Sequence, residues 1–107
     1  MDIDTDTGAS GQGVAAVVAA LAHPARQRIV AELVEGREYV SELARRMGMG
    51  RPLLHMHLRH LERAGLVVGS LELSPEGKAM RFYSVAPFDI HLTPSTVAAA
   101  ASGSTTP

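Results

Sequence analysis

With 107 residues, 4% aromatics, no Trp and no Cys, the chain has room for one domain, whose small core must be filled by Leu, Val, Ala and Met. It holds no disulfide, thiolate metal site or cysteine nucleophile. A formal net charge of −1 excludes an unspecific basic coat, yet eight of the ten Lys and Arg lie between Arg26 and Arg63, while Asp2, Asp4 and Asp6 sit in the N-terminal arm.

Residues 1–11 are polar and glycine-bearing and read as a mobile acidic arm ahead of a folded unit at 12–101. The arm's DIDTDTG run fails as a calcium loop, because its glycine falls one place late and its twelfth position is Gly13, not Glu. The opening MDIDTDTGASG is the opposite of a signal peptide, and no apolar run approaches the roughly 20 residues of a membrane span, so a cytoplasmic chain is expected. From Gln12 to Ala22 the residues are almost all Ala and Val, a helix apolar on every side and thus suited to burial between subunits. His23-Pro24 breaks it, and Pro24 opens a second helix that buries Ile29, Val30 and Leu33 and stops at Gly36.

Val40 to Val67 is the most informative stretch. Leu43, Ala44 and Met47 repeat at helical spacing, and Gly48 stands where a helix end needs positive φ. A second period follows in Leu54, Leu58 and Leu61, over a helix at about 51–64. This is a helix-turn-helix pattern, whose second helix enters the major groove of DNA. With the leucines buried, Arg51, Pro52, His55, Met56, Arg59 and Arg63 face outward. Arg51 and His55, near the helix start, are placed to reach base edges. Pro52 and Met56 add apolar contact, and Arg59 and Arg63 suit phosphates. Arg45 and Arg46 on the preceding helix are expected to touch the backbone. His57 turns toward the core, where a structural hydrogen bond is expected in place of a metal, because His55 and His57 diverge by about 200° on a helix.

Leu66 to Leu73 alternates as a strand, Ser74-Pro75-Glu76-Gly77 makes a turn, and Arg81 to Val85 returns. Lys78 and Arg81, near that tip, would reach the backbone of an adjacent groove. Thr93 caps a short helix from Pro94 to Ala101, and residues 102–107 read as a disordered tail. The fold class is therefore mostly α with a small β-hairpin wing, a winged helix-turn-helix. No nucleophile elbow, glycine-rich phosphate loop or H-E-x-x-H is present, so an enzyme is not expected.

LAHPARQRIVAEL and YVSELARRMGMGRPLLHMHLRHLERAGLV together resemble the ArsR/SmtB family of winged-helix transcriptional regulators, over about Val14 to Val85. The resemblance implies a homodimer built from the first and last helices, binding double-stranded DNA at a pseudo-palindromic operator. Gly50, Pro52 and Leu53 stand where many relatives carry serines, so their operator sequences do not transfer. The resemblance also raises metal sensing. Positions matching the family's C-x-C motif are Tyr39 and Ser41 here, and the last helix carries neither Asp nor His. Asp89 and His91 remain as candidate ligands, with His23 or arm carboxylates completing the shell. Nitrogen and oxygen donors without sulfur suit Ni²⁺ or Zn²⁺ as an effector. Two alternatives stand beside this reading: a winged-helix protein-interaction module, for which Pro52, Leu53 and Met56 give a foothold, and a metal-independent regulator needing an accessory protein.

Overall fold

The computed structural model describes residues 13–104, so the arm read at 1–11, with its carboxylates, lies outside the described residues. The elements run α1 (Gly13–Leu21), α2 (Pro24–Val34), β1 (Glu38–Tyr39), α3 (Val40–Met47), α4 (Arg51–Arg63), β2 (Val67–Leu73), β3 (Ala79–Val85) and α5 (Pro94–Ser104). The helix-turn-helix and the wing thus fall where the hydrophobic periods place them. None of the described helices is long and apolar enough to cross a membrane.

The turn between α3 and α4 follows from one residue. Gly48 adopts φ 67°, ψ 34°, a left-handed conformation that a side chain disfavours. There the Gly48 N–H donates to Arg45 O at 3.2 Å and the Met49 N–H to Ala44 O at 3.1 Å, which satisfies the last carbonyls of α3. The chain then leaves in a new direction, and Pro52 helps start α4, where a missing N–H costs nothing. Leu54, Leu58 and Leu61 are completely buried against Ile29, Leu33, Leu43 and Leu66 of the same core. Truncating any one of such leucines to Ala costs about 2–5 kcal/mol. This packing fixes the rotation of α4 and hence which residues it shows to solvent.

Two features depart from the sequence expectation. A third strand, β1, pairs antiparallel with β3 through Glu38↔Tyr83 and Tyr39↔Phe82 and gives the sheet order β1-β3-β2. Two residues are too few to show alternation. The strand is made instead by its partner and by Arg37, whose guanidinium lies 4.1 Å from the centre of the Phe82 ring and pairs with Glu72. The second departure is the end of the chain. α5 runs on to Ser104, three residues into the stretch read as tail, because an alanine run supplies helix propensity without a stop signal at Ala101. At its start Thr93 and Thr96 cap each other reciprocally: Thr93 Oγ1 accepts from the Thr96 N–H at 3.1 Å, and Thr96 Oγ1 accepts from the Thr93 N–H at 2.9 Å.

The terminal helices bury little within one protomer. α1 buries only Val17 and Ala20 and leaves Val18 44% exposed; none of the described α5 side chains is buried, and Val97 is 49% exposed. The two helices pack on each other.

Candidate nucleic-acid interface

α4 and the wing form one continuous face. On α4 the exposed residues are Arg51, Pro52, Leu53, Met56, Arg59, His60, Glu62 and Arg63, with His55 half-buried. The sheet packs on α4 through β2, and between α4 and β3 lies a groove of about 290 Å³ lined by His55, Arg59, Glu62, Arg81 and Tyr83. Three residues singled out from the sequence, His55, Arg59 and Arg81, are thus brought together from two elements. Two guanidiniums and an imidazole around one groove make a setting for a polyanion. Glu62 leaves the basic rim discontinuous and disfavours any backbone path that passes close to it.

Tyr83 forms the floor, with 5% of its surface exposed. It stands there because its register partner across the sheet is Gly69. A Cβ on Gly69 would lie 2.8 Å from Tyr83 Cε1 and 3.2 Å from its Cζ. Sequence reading missed this pair, although a glycine inside a strand is the usual mark of a close approach.

Other candidate residues are held differently. Arg51 donates from Nη1 to Ser41 Oγ at 3.1 Å, which ties the start of α4 to the start of α3 and uses one of its five N–H groups. Arg63 stays exposed at the far end of α4. Lys78 is exposed at the hairpin tip, where its backbone N–H donates to Ser74 Oγ at 3.0 Å. Arg46 departs most from the expectation of a backbone contact. It lies among Glu32 at 3.5 Å, Glu38 at 3.2 Å and Glu42 at 3.3 Å, so it braces α2, β1 and α3 and its charge is met within the domain. Arg45 also pairs with Glu42, whose carboxyl is held below its usual range chiefly by the hydrogen bond from Arg45. Arg45 is far more exposed and can exchange that carboxylate for a phosphate, since solvent screens such a surface pair.

His57 is buried, with 2% of its surface exposed, and makes the structural hydrogen bond expected of it. Its Nδ1 accepts from Arg26 Nε at 3.1 Å, and the His23 ring meets its ring edge-on at 4.7 Å between centroids. His23 in turn caps α2, its Nδ1 accepting the Ala25 N–H at 3.3 Å. That bond ties His23 Nδ1 to the backbone at the start of α2. Asp89 and His91 do lie on one side of their segment, 3.6 Å apart and both highly exposed. No group of three His, Asp or Glu side chains able to hold a metal exists among the described residues. A two-donor exposed pair does not fit a resident metal, which needs about four ligands in a closed site.

The sequence relationships agree with this face. A helix-turn-helix domain family model matches residues 21–69. An HTH-type transcriptional regulator of Methanocaldococcus jannaschii is 34% identical over 73 residues, covering 68% of this chain and 76% of that protein. A biofilm growth-associated repressor of Xylella fastidiosa is 41% identical over 54 residues, which covers 50% of this chain but spans only 47% of the repressor. Among solved structures, a homodimeric winged helix-turn-helix DNA-binding domain of Mycobacterium bovis, described as a possible ArsR-family transcriptional regulator, superposes with a TM-score of 0.62 at 25% identity. It covers 97% of this chain and 87% of that one. With the α3–α4 turn, the β2–β3 wing and the exposed arginines of α4 in place, the chain belongs to the ArsR-type winged helix-turn-helix transcriptional regulators, a family of DNA-binding proteins and not of enzymes.

Proposed function

We propose that the chain is a homodimeric repressor that reads a pseudo-palindromic operator with α4 and grips the flanking backbone with its wing. The groove where His55 and Arg59 of α4 meet Arg81 of β3 carries this reading, because one DNA strand leaving the major groove would pass between helix and wing. Arg51 and His55 address base edges; Arg59, Arg63, Arg81 and Lys78 address phosphates. The homodimeric relative and the apolar, half-bare α1 and α5 support pairing through the terminal helices. The Xylella relative supports repression as the outcome. The site of action would be the cytoplasm, where such an operator is found.

The test is fluorescence anisotropy on the DNA upstream of the chain's own gene, at several salt concentrations, with EDTA, Ni²⁺ and Zn²⁺ in parallel. Selective binding with a steep salt slope is expected. Arg59→Ala should weaken all duplexes alike and flatten the slope, whereas His55→Ala should relax sequence preference. Absence of selective binding would overturn the reading in favour of a protein-docking module or of dependence on an accessory protein. Control by Ni²⁺ or Zn²⁺ through Asp89 and His91 would require a metal-induced change in affinity that Asp89→Ala and His91→Ala abolish; a change that survives both would place control elsewhere.

A further inference from the structure

The leading half of α4 shows solvent more carbon than a phosphate-gripping helix needs. Leu53 is 46% exposed and Met56 42%, with Pro52 exposed beside them. Positions 52, 53 and 56 share one side of the first turn and a half, so the three make one patch. The polar neighbours are turned aside: Arg51 toward Ser41, and His55 and Arg59 toward the wing groove. The part of the helix that goes deepest into a major groove therefore ends in carbon, and its rim is cationic, with Arg51 ahead of the patch and Arg59 and Arg63 behind it.

An apolar plug inside a cationic rim fits an occupant with the opposite arrangement, a polyanion with apolar points on its floor. The major groove has that chemistry, its apolar points being the C5 methyl groups of thymine. We propose that Pro52, Leu53 and Met56 form a methyl-reading surface, and that each operator half-site places thymine beneath them. The proposal rests on the DNA-binding role argued above. It moves much of the base selection from hydrogen bonds to the burial of methyl groups. Burying one methyl is worth about 0.8 kcal/mol, or roughly a four-fold change in affinity.

Deoxyuridine lacks only that methyl and keeps every hydrogen-bonding atom of thymine, so it isolates the effect. With the operator located by footprinting, each thymine of a half-site is replaced singly by deoxyuridine and affinity is measured by anisotropy with the full chain. The expected result is a loss of about three- to ten-fold at one or two positions per half-site, and little change elsewhere. Leu53→Ala and Met56→Ala, both at exposed sites, should bind thymine and uracil operators alike with the salt slope unchanged, and Met56→Leu should keep the discrimination. Selective binding that tolerates uracil at every position would overturn the methyl surface and leave the DNA reading standing. Discrimination that persists in both alanine variants would overturn it too, and selective binding to no duplex would remove both readings together.

Discussion

Gly69 shows how much one missing methyl can decide. In a strand whose backbone permits it, replacing Gly by Ala usually stabilises by about 0.4–1 kcal/mol, because the unfolded chain loses freedom. Here the added Cβ would sit 2.8 Å from the Tyr83 ring. That ring is buried among core side chains, so it cannot swing away cheaply. Overpacking of this kind costs about 1–3 kcal/mol, so Gly69→Ala is expected to lower Tm by about 4–15 °C. In a Tyr83→Leu background the same change should cost much less. An unchanged Tm for Gly69→Ala alone would show that the ring yields. Arg46 makes the complementary point. Its position on the outer side of a helix was legible, but Glu32 and Glu38 come from other elements, and no local pattern announces them. The outward residues of α4 were readable because Leu54, Leu58 and Leu61 fix its rotation; the partners of those residues were not, since they depend on how elements meet.

Elements with a long period or a strong punctuation mark were legible in this way, α3 and α4 above all. β1 was not, being two residues made a strand by Phe82 and Tyr83 across the sheet. The junction of α1, α2 and α4 lies between these cases: His57 was readable as a core residue, but Arg26 and His23 as its neighbours were not. Its geometry carries a pH consequence. His57 Nδ1 accepts from Arg26, so the buried ring is neutral there. Its pKa is lowered first by burial, then by the charges of His23, Arg26 and His60. His60 is lowered chiefly by Arg26, with Arg63 and Arg59 adding to it. A histidine whose folded pKa is depressed binds protons more readily when unfolded. Stability is therefore full above the unfolded value near 6.5 and falls as pH drops below it toward the folded value. Urea denaturation from pH 8 to 5 should show a plateau and then a decline. His57→Gln, which keeps an acceptor for Arg26, should be less stable on the plateau but decline less steeply. Matching acid slopes in the two proteins would assign the titration to other groups.

At the scale of the molecule, the near-zero net charge and the basic face are reconciled by where the acids lie. Glu32, Glu38 and Glu42 meet Arg45 and Arg46 on α3, whereas among the described residues no ion pair engages Arg51, Arg59 and Arg63 of α4 or Lys78 and Arg81 of the wing. That face is small for one protomer, and two copies would double it in a fixed spacing. Val18 and Val97, exposed on helices that pack together, are where a second copy can bury apolar surface. Charge placed there should oppose pairing without touching α4. Val97→Asp and Val18→Asp are expected to sediment as monomers at micromolar concentration and to bind the full operator at least ten-fold more weakly, while their affinity for an isolated half-site changes little. The operator gives an independent check. Two α4 helices related by a two-fold axis reach major grooves about 34 Å apart, one DNA turn. Inserting five base pairs between the half-sites turns the second site to the far side of the duplex and should cost the wild-type protein as much as the aspartates do. The aspartate variants should be indifferent to the same insertion. If wild type is indifferent as well, each protomer binds alone, and the exposed valines of α1 and α5 serve something other than operator recognition.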